Sequence, residues 1–415
     1  MNEFSYIFLF LLISSTALKL WLNKRQTQHI LQHRDQVPAD FKGKIELSAH
    51  QKAADYTVAK THIATISTLL SSSILIVLTL GGGINMLLAI AQTYIHSDLL
   101  AGVTLILSVF IVSHMIELPI DIYQTFKIEQ KFGFNRTTTV QYIKDQLLQI
   151  ALMLLIAGPL ICALLWVMGQ MGEYWWLYAG LLTISFTFFL TWLVPTVIAP
   201  LFNTFTPLED DQLETKIQHL FKRCGFNSKG IYVMDGSRRS GHGNAYFTGI
   251  GNNKRIVFYD TLIESLNADE IEAVLAHELG HFKCKHISKQ MLVSSFITLA
   301  AFALLGWLKQ QNWFFDGLAI LQINDAVALL LFLLITPIFS TFIQPISSHF
   351  QRKFEFEADA FASTMSQPEH LIQALVKLYR ENASTLTPDP LYSNFHHSHP
   401  PAGVRINHLK SLTKC

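Results

Sequence analysis

The sequence predicts a mainly α, multi-pass membrane protein whose polar remainder forms an α+β domain on one face of the bilayer. Three observations carry this. Hydrophobic residues fill 50% of the 415 positions and charged residues only 15%, against roughly 25% charged in soluble proteins. Mean hydropathy is +0.32. Long apolar runs recur along the chain, and Lys and Arg gather in alternate connections between them. The charge balance, Lys+Arg 31 against Asp+Glu 30, excludes the basic field of a nucleic-acid binder. Cys162, Cys224, Cys284 and Cys415 are too scattered for a disulfide framework.

A span needs roughly 20 mainly apolar residues. Seven stretches qualify: Phe4–Leu22, Ile63–Ile84, Leu99–Leu118, Leu147–Met168, Trp175–Ile198, Met291–Trp307 and Ala326–Ile346. The first lacks a basic leader and a small-residue cleavage pattern, and its basic residues Lys19, Lys24 and Arg25 come late; it reads as an uncleaved anchor. The sixth is short, and the seventh holds Pro337 and Pro345, which membrane helices tolerate when neighbours satisfy the freed carbonyls.

Basic residues set the orientation. The connection after the first span carries Lys24, Arg25, Arg34, Lys42, Lys44, Lys52 and Lys60; the one after the third carries Lys127, Lys131, Arg136 and Lys144. The connections near His96 and Glu173 carry none, and the stretch after the sixth span has Lys309. The positive-inside rule then puts the N-terminus outside or lumenal and the C-terminus in the cytoplasm. His114 and Glu117, near a span's cytoplasmic end, read as interfacial.

The expected organisation is therefore a membrane region over 1–200 with five transmembrane helices and basic cytoplasmic loops, a first catalytic part over 201–290, spans six and seven over 291–346, and a second catalytic part over 347–415. In the first part, Gln212–Cys224 has helical spacing, Gly230–Met234 is strand-like, and Ala245–Phe247 with Arg255–Tyr259 suggests a hairpin around Gly251-Asn252-Asn253.

His277-Glu278-Leu279-Gly280-His281 places two imidazoles four residues apart, on one helical face. Both can reach one zinc ion while Glu278 stands beside the open position, where a carboxylate can take a proton from the attacking water. Asp269 and Glu270 suit the first turn of this helix. A catalytic zinc needs a third protein ligand. Cys284 competes for it with Glu355, which shares a helical face with Asp359; one acid of that pair can bind metal while the other orients a histidine. Hydrolytic chemistry favours the carboxylate of Glu355. Cys284 then reads as a small buried residue, and Glu357 points elsewhere.

Asn244 and Ala245 open a stretch, Asn244–Phe247, that could be an exposed edge strand, pairing an extended peptide by main-chain hydrogen bonds. Among His396, His397 and His399, any could donate to a developing oxyanion. Pro400 and Pro401 stiffen the chain after His399. His242 and His286 read as ordinary polar residues.

These motifs resemble the Ste24-type CAAX prenyl proteases, integral-membrane zinc peptidases. The likeness rests on His277–His281 with Phe354-Glu355-Phe356-Glu357-Ala358-Asp359-Ala360-Phe361-Ala362, on Phe132–Asn135, on Ser240–Phe247 and on His397–Pro401, with seven spans in the same order. The resemblance implies a seven-transmembrane-helix barrel enclosing a water-filled chamber, closed by a cytoplasmic α+β zincin-like domain. It implies one Zn2+ per chain on His277, His281 and Glu355, with Asp359 behind a zinc histidine. It singles out His399, helped by Arg405, for the oxyanion. Ala402-Gly403-Val404-Arg405 lacks the acid that commonly precedes that Arg. The substrates implied are peptides or proteins, prenylated or membrane-associated, cut at C-terminal CAAX sequences. Two alternatives are a shorter HtpX-like quality-control protease, against which seven spans argue, and a polytopic transporter with an incidental motif.

Overall fold

The structure, a computed structural model, describes residues 1–226, 230–248 and 255–412. Among these, seven helices are long and apolar enough to cross a membrane: Glu3–Gln32, Leu47–Leu78, Asp98–Phe132, Thr139–Gln170, Gly172–Phe202, His286–Leu308 and Asp325–Met365. Each expected span falls on one of them, but several run well past the apolar stretch. The second begins sixteen residues earlier than its hydrophobic pattern and stops sooner, because Gly82 takes a left-handed φ of 77°. Ile84 therefore belongs to a separate short helix, Gly83–Tyr94. Gly81 allows this turn: a Cβ there would stand 2.7 Å from the Val77 carbonyl oxygen.

The seventh helix departs furthest from its pattern. It has 41 residues and passes through Pro337 and Pro345 without a break. At 1.5 Å per residue it is about 60 Å long, twice the roughly 30 Å hydrocarbon layer. Its second half must leave the membrane, and that half carries Glu355 and Asp359.

Of three hydrophobic cores among the described residues, two lie far apart along the seventh helix. One gathers Phe8, Leu12, Ile84, Leu105, Phe314 and Leu330. The other gathers Phe41, Ile217, Phe258, Leu275, Ala362 and Ile406. The seventh helix enters both, with Ile335 in the first and Ala362 in the second, roughly 40 Å further along. A cavity of about 1040 Å³ opens between them, lined by Gln26, Tyr56, Lys60, Ser67, Asn244 and His399 among others. The helices enclose a chamber, and a small soluble domain caps it.

That domain contains a four-stranded sheet of β1 (Phe205–Pro207), β2 (Ile231–Met234), β3 (Ala245–Thr248) and β4 (Arg255–Tyr259), ordered β1-β2-β4-β3. β3 and β4 pair antiparallel with Ala245 opposite Phe258, as the hairpin reading expects; its connecting residues Gly251–Asn253 lie outside the described residues. β3 is an outer strand of the sheet. The helix Asp211–Cys224 matches its predicted range to within one residue.

Candidate metal centre

The helix Ala268–Lys283 starts where capping chemistry dictates. The Asn267 side chain accepts the Glu270 amide at 2.9 Å, and the Glu270 carboxylate accepts the Asn267 amide at 2.8 Å, a reciprocal capping box. Lys377 donates to the same carboxylate at 2.7 Å. With Asp269 also in the first turn, the acids complement the helix dipole. Ile271, Leu275 and Leu279 face the domain core and turn the histidines toward the seventh helix.

His277, His281 and Glu355 come together there. His277 Nε2 lies 3.3 Å from His281 Nε2 and 3.5 Å from Glu355 Oε2, and His281 Nε2 lies 3.3 Å from Glu355 Oε1. His277 and Glu355 are buried, each 5% exposed. Cys284 does not join this trio; it groups with His286 and Glu357 instead.

The donor set fits a cation. The Nδ1 atoms of both histidines have other partners: His277 Nδ1 is 2.8 Å from Asp359 Oδ1 and His281 Nδ1 is 3.0 Å from His286 Nδ1. Neutral rings that donate from Nδ1 direct bare lone pairs from Nε2 at one another. Glu355 Oε2 is likewise buried without a hydrogen bond. His399 Nδ1 approaches it at 2.7 Å, but outside hydrogen-bond geometry. Converging buried lone pairs repel unless a positive charge stands between them.

Asp359 is fully buried and held by Arg405, whose Nε and Nη2 donate at 2.9 and 2.5 Å. Arg405 Nη1 is also 3.5 Å from Glu355 Oε2. Its fork is committed to Asp359, behind His277, so Arg405 is a buried strut in the domain. Burial and the Arg405 charge push the His277 pKa down, but the adjoining Asp359 and Glu355 carboxylates outweigh them and raise it above the ordinary value.

Of the three clustered histidines, burial and the neighbouring His396, Arg352 and His399 push His397 down to about 4. Burial and Lys19 likewise lower His396. His399 differs from both: its side chain is 63% exposed, beside Glu355 and on the cavity wall. Glu278 is half-buried and its carboxylate makes no hydrogen bond or ion pair to a described residue, which leaves it free to handle a proton.

Asn244 also lines the cavity. The amide of Tyr259 donates to its carbonyl at 2.9 Å, so the strand alternation turns the Ala245 amide to the outer edge of β3. That amide now donates to the Asn244 side-chain oxygen at 2.8 Å, and a peptide strand pairing there would replace this contact.

Sequence reasoning missed several residues. Asn382 grips Gly243 through both backbone groups, at 3.0 and 3.2 Å, and so fixes the approach to β3. His242 stacks on Phe134 with centroids 4.2 Å apart and lies 3.3 Å from the Tyr56 hydroxyl. Glu357 does face away from the His277–His281–Glu355 cluster, yet it meets His286 at 3.0 Å. No local pattern signals pairs this far apart in the chain.

Comparison with known proteins agrees along the whole chain. Residues 26–204 match the family model described as CAAX prenyl protease N-terminal, five membrane helices, and residues 207–413 match that of peptidase family M48. The CAAX prenyl protease 1 homolog of Dictyostelium discoideum is 35% identical over 408 residues, covering 94% of this chain and 92% of that one. CAAX prenyl protease 1 of Saccharomyces cerevisiae is 35% identical over 320 residues, covering 73% and 70%. The crystal structure of S. mikatae Ste24p superposes with a TM-score of 0.91 at 30% identity, over 99% of both chains.

Proposed function

Because the chain belongs to the Ste24-type CAAX prenyl protease family of M48 peptidases and is a multi-pass membrane metalloprotease, we propose that it holds one Zn2+ on His277, His281 and Glu355 and cleaves extended peptides that enter its chamber. The convergence of His277, His281 and Glu355 on one point, with Glu355 Oε2 buried and without a hydrogen bond, carries this reading.

When bound, zinc supplies a Lewis acid and brings the pKa of a water down to about 7. The chain supplies the rest. Glu278 accepts the proton of the attacking water and returns it to the departing amine. Asp359, braced by Arg405, accepts from His277 Nδ1–H and keeps Nε2 free as a ligand. His399 donates to the oxygen on which negative charge develops, with Arg405 adding positive charge from behind. The edge of β3 at Asn244 and Ala245 pairs with the substrate backbone and sets which carbonyl meets the metal.

A chamber between two cores suits a scissile bond close to a lipid tail or an apolar segment. We therefore favour the C-terminal tripeptide of prenylated CAAX proteins as substrate, after the relatives named for that activity. In a cell without prenylated proteins the same chamber suits clearance of stalled membrane proteins. The proposed orientation keeps the catalytic domain, in its two parts 201–290 and 347–415, on the cytoplasmic side of the bacterial inner membrane or the endoplasmic reticulum. The comparisons favour neither the HtpX-like nor the transporter alternative.

The test is metal content and cleavage of a farnesylated CAAX peptide by wild type and Glu278→Gln. The expected result is full zinc in both and a loss of about 10²–10⁴ in cleavage rate for the variant. Undiminished cleavage, or a purified wild type that binds no zinc, would sink the reading.

A further inference from the structure

We infer that His286 and Glu357 form a positioning relay for His281, the counterpart of what Asp359 does for His277; this rests on the proposed role of His281 as a metal ligand. His281 Nδ1 is 3.0 Å from His286 Nδ1, and His286 Nε2 is 3.0 Å from Glu357 Oε2. His286 is 1% exposed, so water does not supply substitute partners.

The proton count admits one arrangement. A ligand nitrogen must be unprotonated, so a neutral His281 that coordinates through Nε2 carries its proton on Nδ1. His286 Nδ1 then has to accept it. A neutral His286 that accepts at Nδ1 carries its own proton on Nε2, where the Glu357 carboxylate is placed to receive it. Each of the two contacts then has one proton. Inverting the His286 tautomer would set two N–H groups against each other at 3.0 Å and leave Glu357 facing a lone pair.

The backbone is shaped for this contact. In an unbroken helix, residue 286 would point roughly 140° away from residue 281. Lys285 instead takes a left-handed φ of 56°, a conformation that costs a non-glycine residue of order 1 kcal/mol or more. It ends the metal helix and begins the sixth span at His286. The His286 ring then lies flat on Phe354, centroids 4.2 Å apart and 13° from parallel. Phe354 and Glu357 belong to the helix that carries Glu355. The relay thus ties His281 to the same helix as the third ligand by a route separate from Asp359.

Zinc affinity by chelator competition and the visible spectrum of the Co2+-substituted protein test this in the full chain, in His286→Phe, His286→Asn, Glu357→Leu and Glu357→Gln. Phenylalanine keeps the stacking on Phe354 and removes both nitrogens. The expected loss of metal affinity is about 10–100-fold in His286→Phe, with a smaller loss in His286→Asn, whose side-chain oxygen can still accept from His281. Glu357→Leu should be weaker than Glu357→Gln, which still accepts from His286, and the Co2+ bands of the leucine variant should shift. Glu357 is 37% exposed in its side chain, so its variants keep the test open if His286→Phe does not fold. Wild-type affinity and spectrum in Glu357→Leu would overturn the relay. So would a second zinc per chain that Cys284→Ser abolishes, since Cys284, His286 and Glu357 would then form a metal site of their own. His281→Ala separates the two readings: if it keeps full zinc, the ligand assignment has failed, whatever His286 does.

Discussion

Gly280 lies directly against Ala358. A Cβ on Gly280 would stand 2.9 Å from the Ala358 Cα and 3.0 Å from its carbonyl oxygen. One residue precedes His281 and the other follows Glu355 by three positions, so this backbone contact sets how closely the proposed ligands approach. It also explains why the residue between Leu279 and His281 has no side chain.

Gly280→Ala should therefore push the two helices apart. Overpacking costs about 1–3 kcal/mol, and 1.4 kcal/mol is a factor of about ten in affinity. We expect roughly tenfold weaker zinc binding with unchanged helical circular dichroism. Ala358→Gly placed in the same chain leaves the contacts with the residue 358 backbone in place and should restore little. Zinc competition on the single and double variants checks both statements.

Asp359 and Arg405 form a buried ion pair. Truncating one partner strands the other charge in the core, which costs about 3–5 kcal/mol. Asp359→Ala should lose that much stability in detergent. Adding Arg405→Met should recover most of the stability, because no unpaired charge then remains. Zinc affinity should stay low in the double variant, since His277 Nδ1 still lacks its acceptor. Equal recovery of stability and affinity would show that Asp359 serves the fold alone.

The segment that bears His399 is anchored to the first span through Asp389. This buried carboxylate pairs with Arg25 at 2.9 Å and accepts the amides of Leu391 and Tyr392, while its own amide donates to Gln26 at 2.7 Å. Burial pushes its pKa up, but the Arg25 and Tyr392 hydrogen bonds outweigh that and hold it below the ordinary carboxylate value. The sign follows. A depressed folded pKa contributes stability above the unfolded value near about 4, and that contribution is lost as pH falls through the folded value. The anchor should thus hold throughout the neutral range and release only in acid, read as protease sensitivity of residues 384–400. At neutral pH, Asp389→Ala should cost about 1 kcal/mol through the lost helix cap and lower turnover. His399→Ala should lower turnover by about 10²–10³ with stability and zinc unchanged.

Much of this protein is legible in its linear order. Span existence follows from apolar length, and the cap at Asn267 and the pairing of His277 with His281 follow from helical spacing, because such features depend on residues within a turn or two. The limits of the spans were less legible: the seventh helix continues to Met365 because its polar half is packed in the soluble domain, a gain that hydropathy does not register. Likewise His397 and His399 are alike in chemistry, the resemblance to the family singles out His399, and in the fold burial separates them.

By itself the order of residues determined that the chain crosses the membrane, where its metal-binding helix lies, and which acids could complete the cluster, all of which are decided within a few residues of chain. The tertiary structure alone decided that Arg405 braces Asp359, that Asn382 holds Gly243, and that His286 turns back onto His281. The physical reason is that these contacts join helices dozens of residues apart, or depend on one left-handed residue at Lys285, and the free energy that selects them comes from burial and hydrogen bonding in the assembled fold.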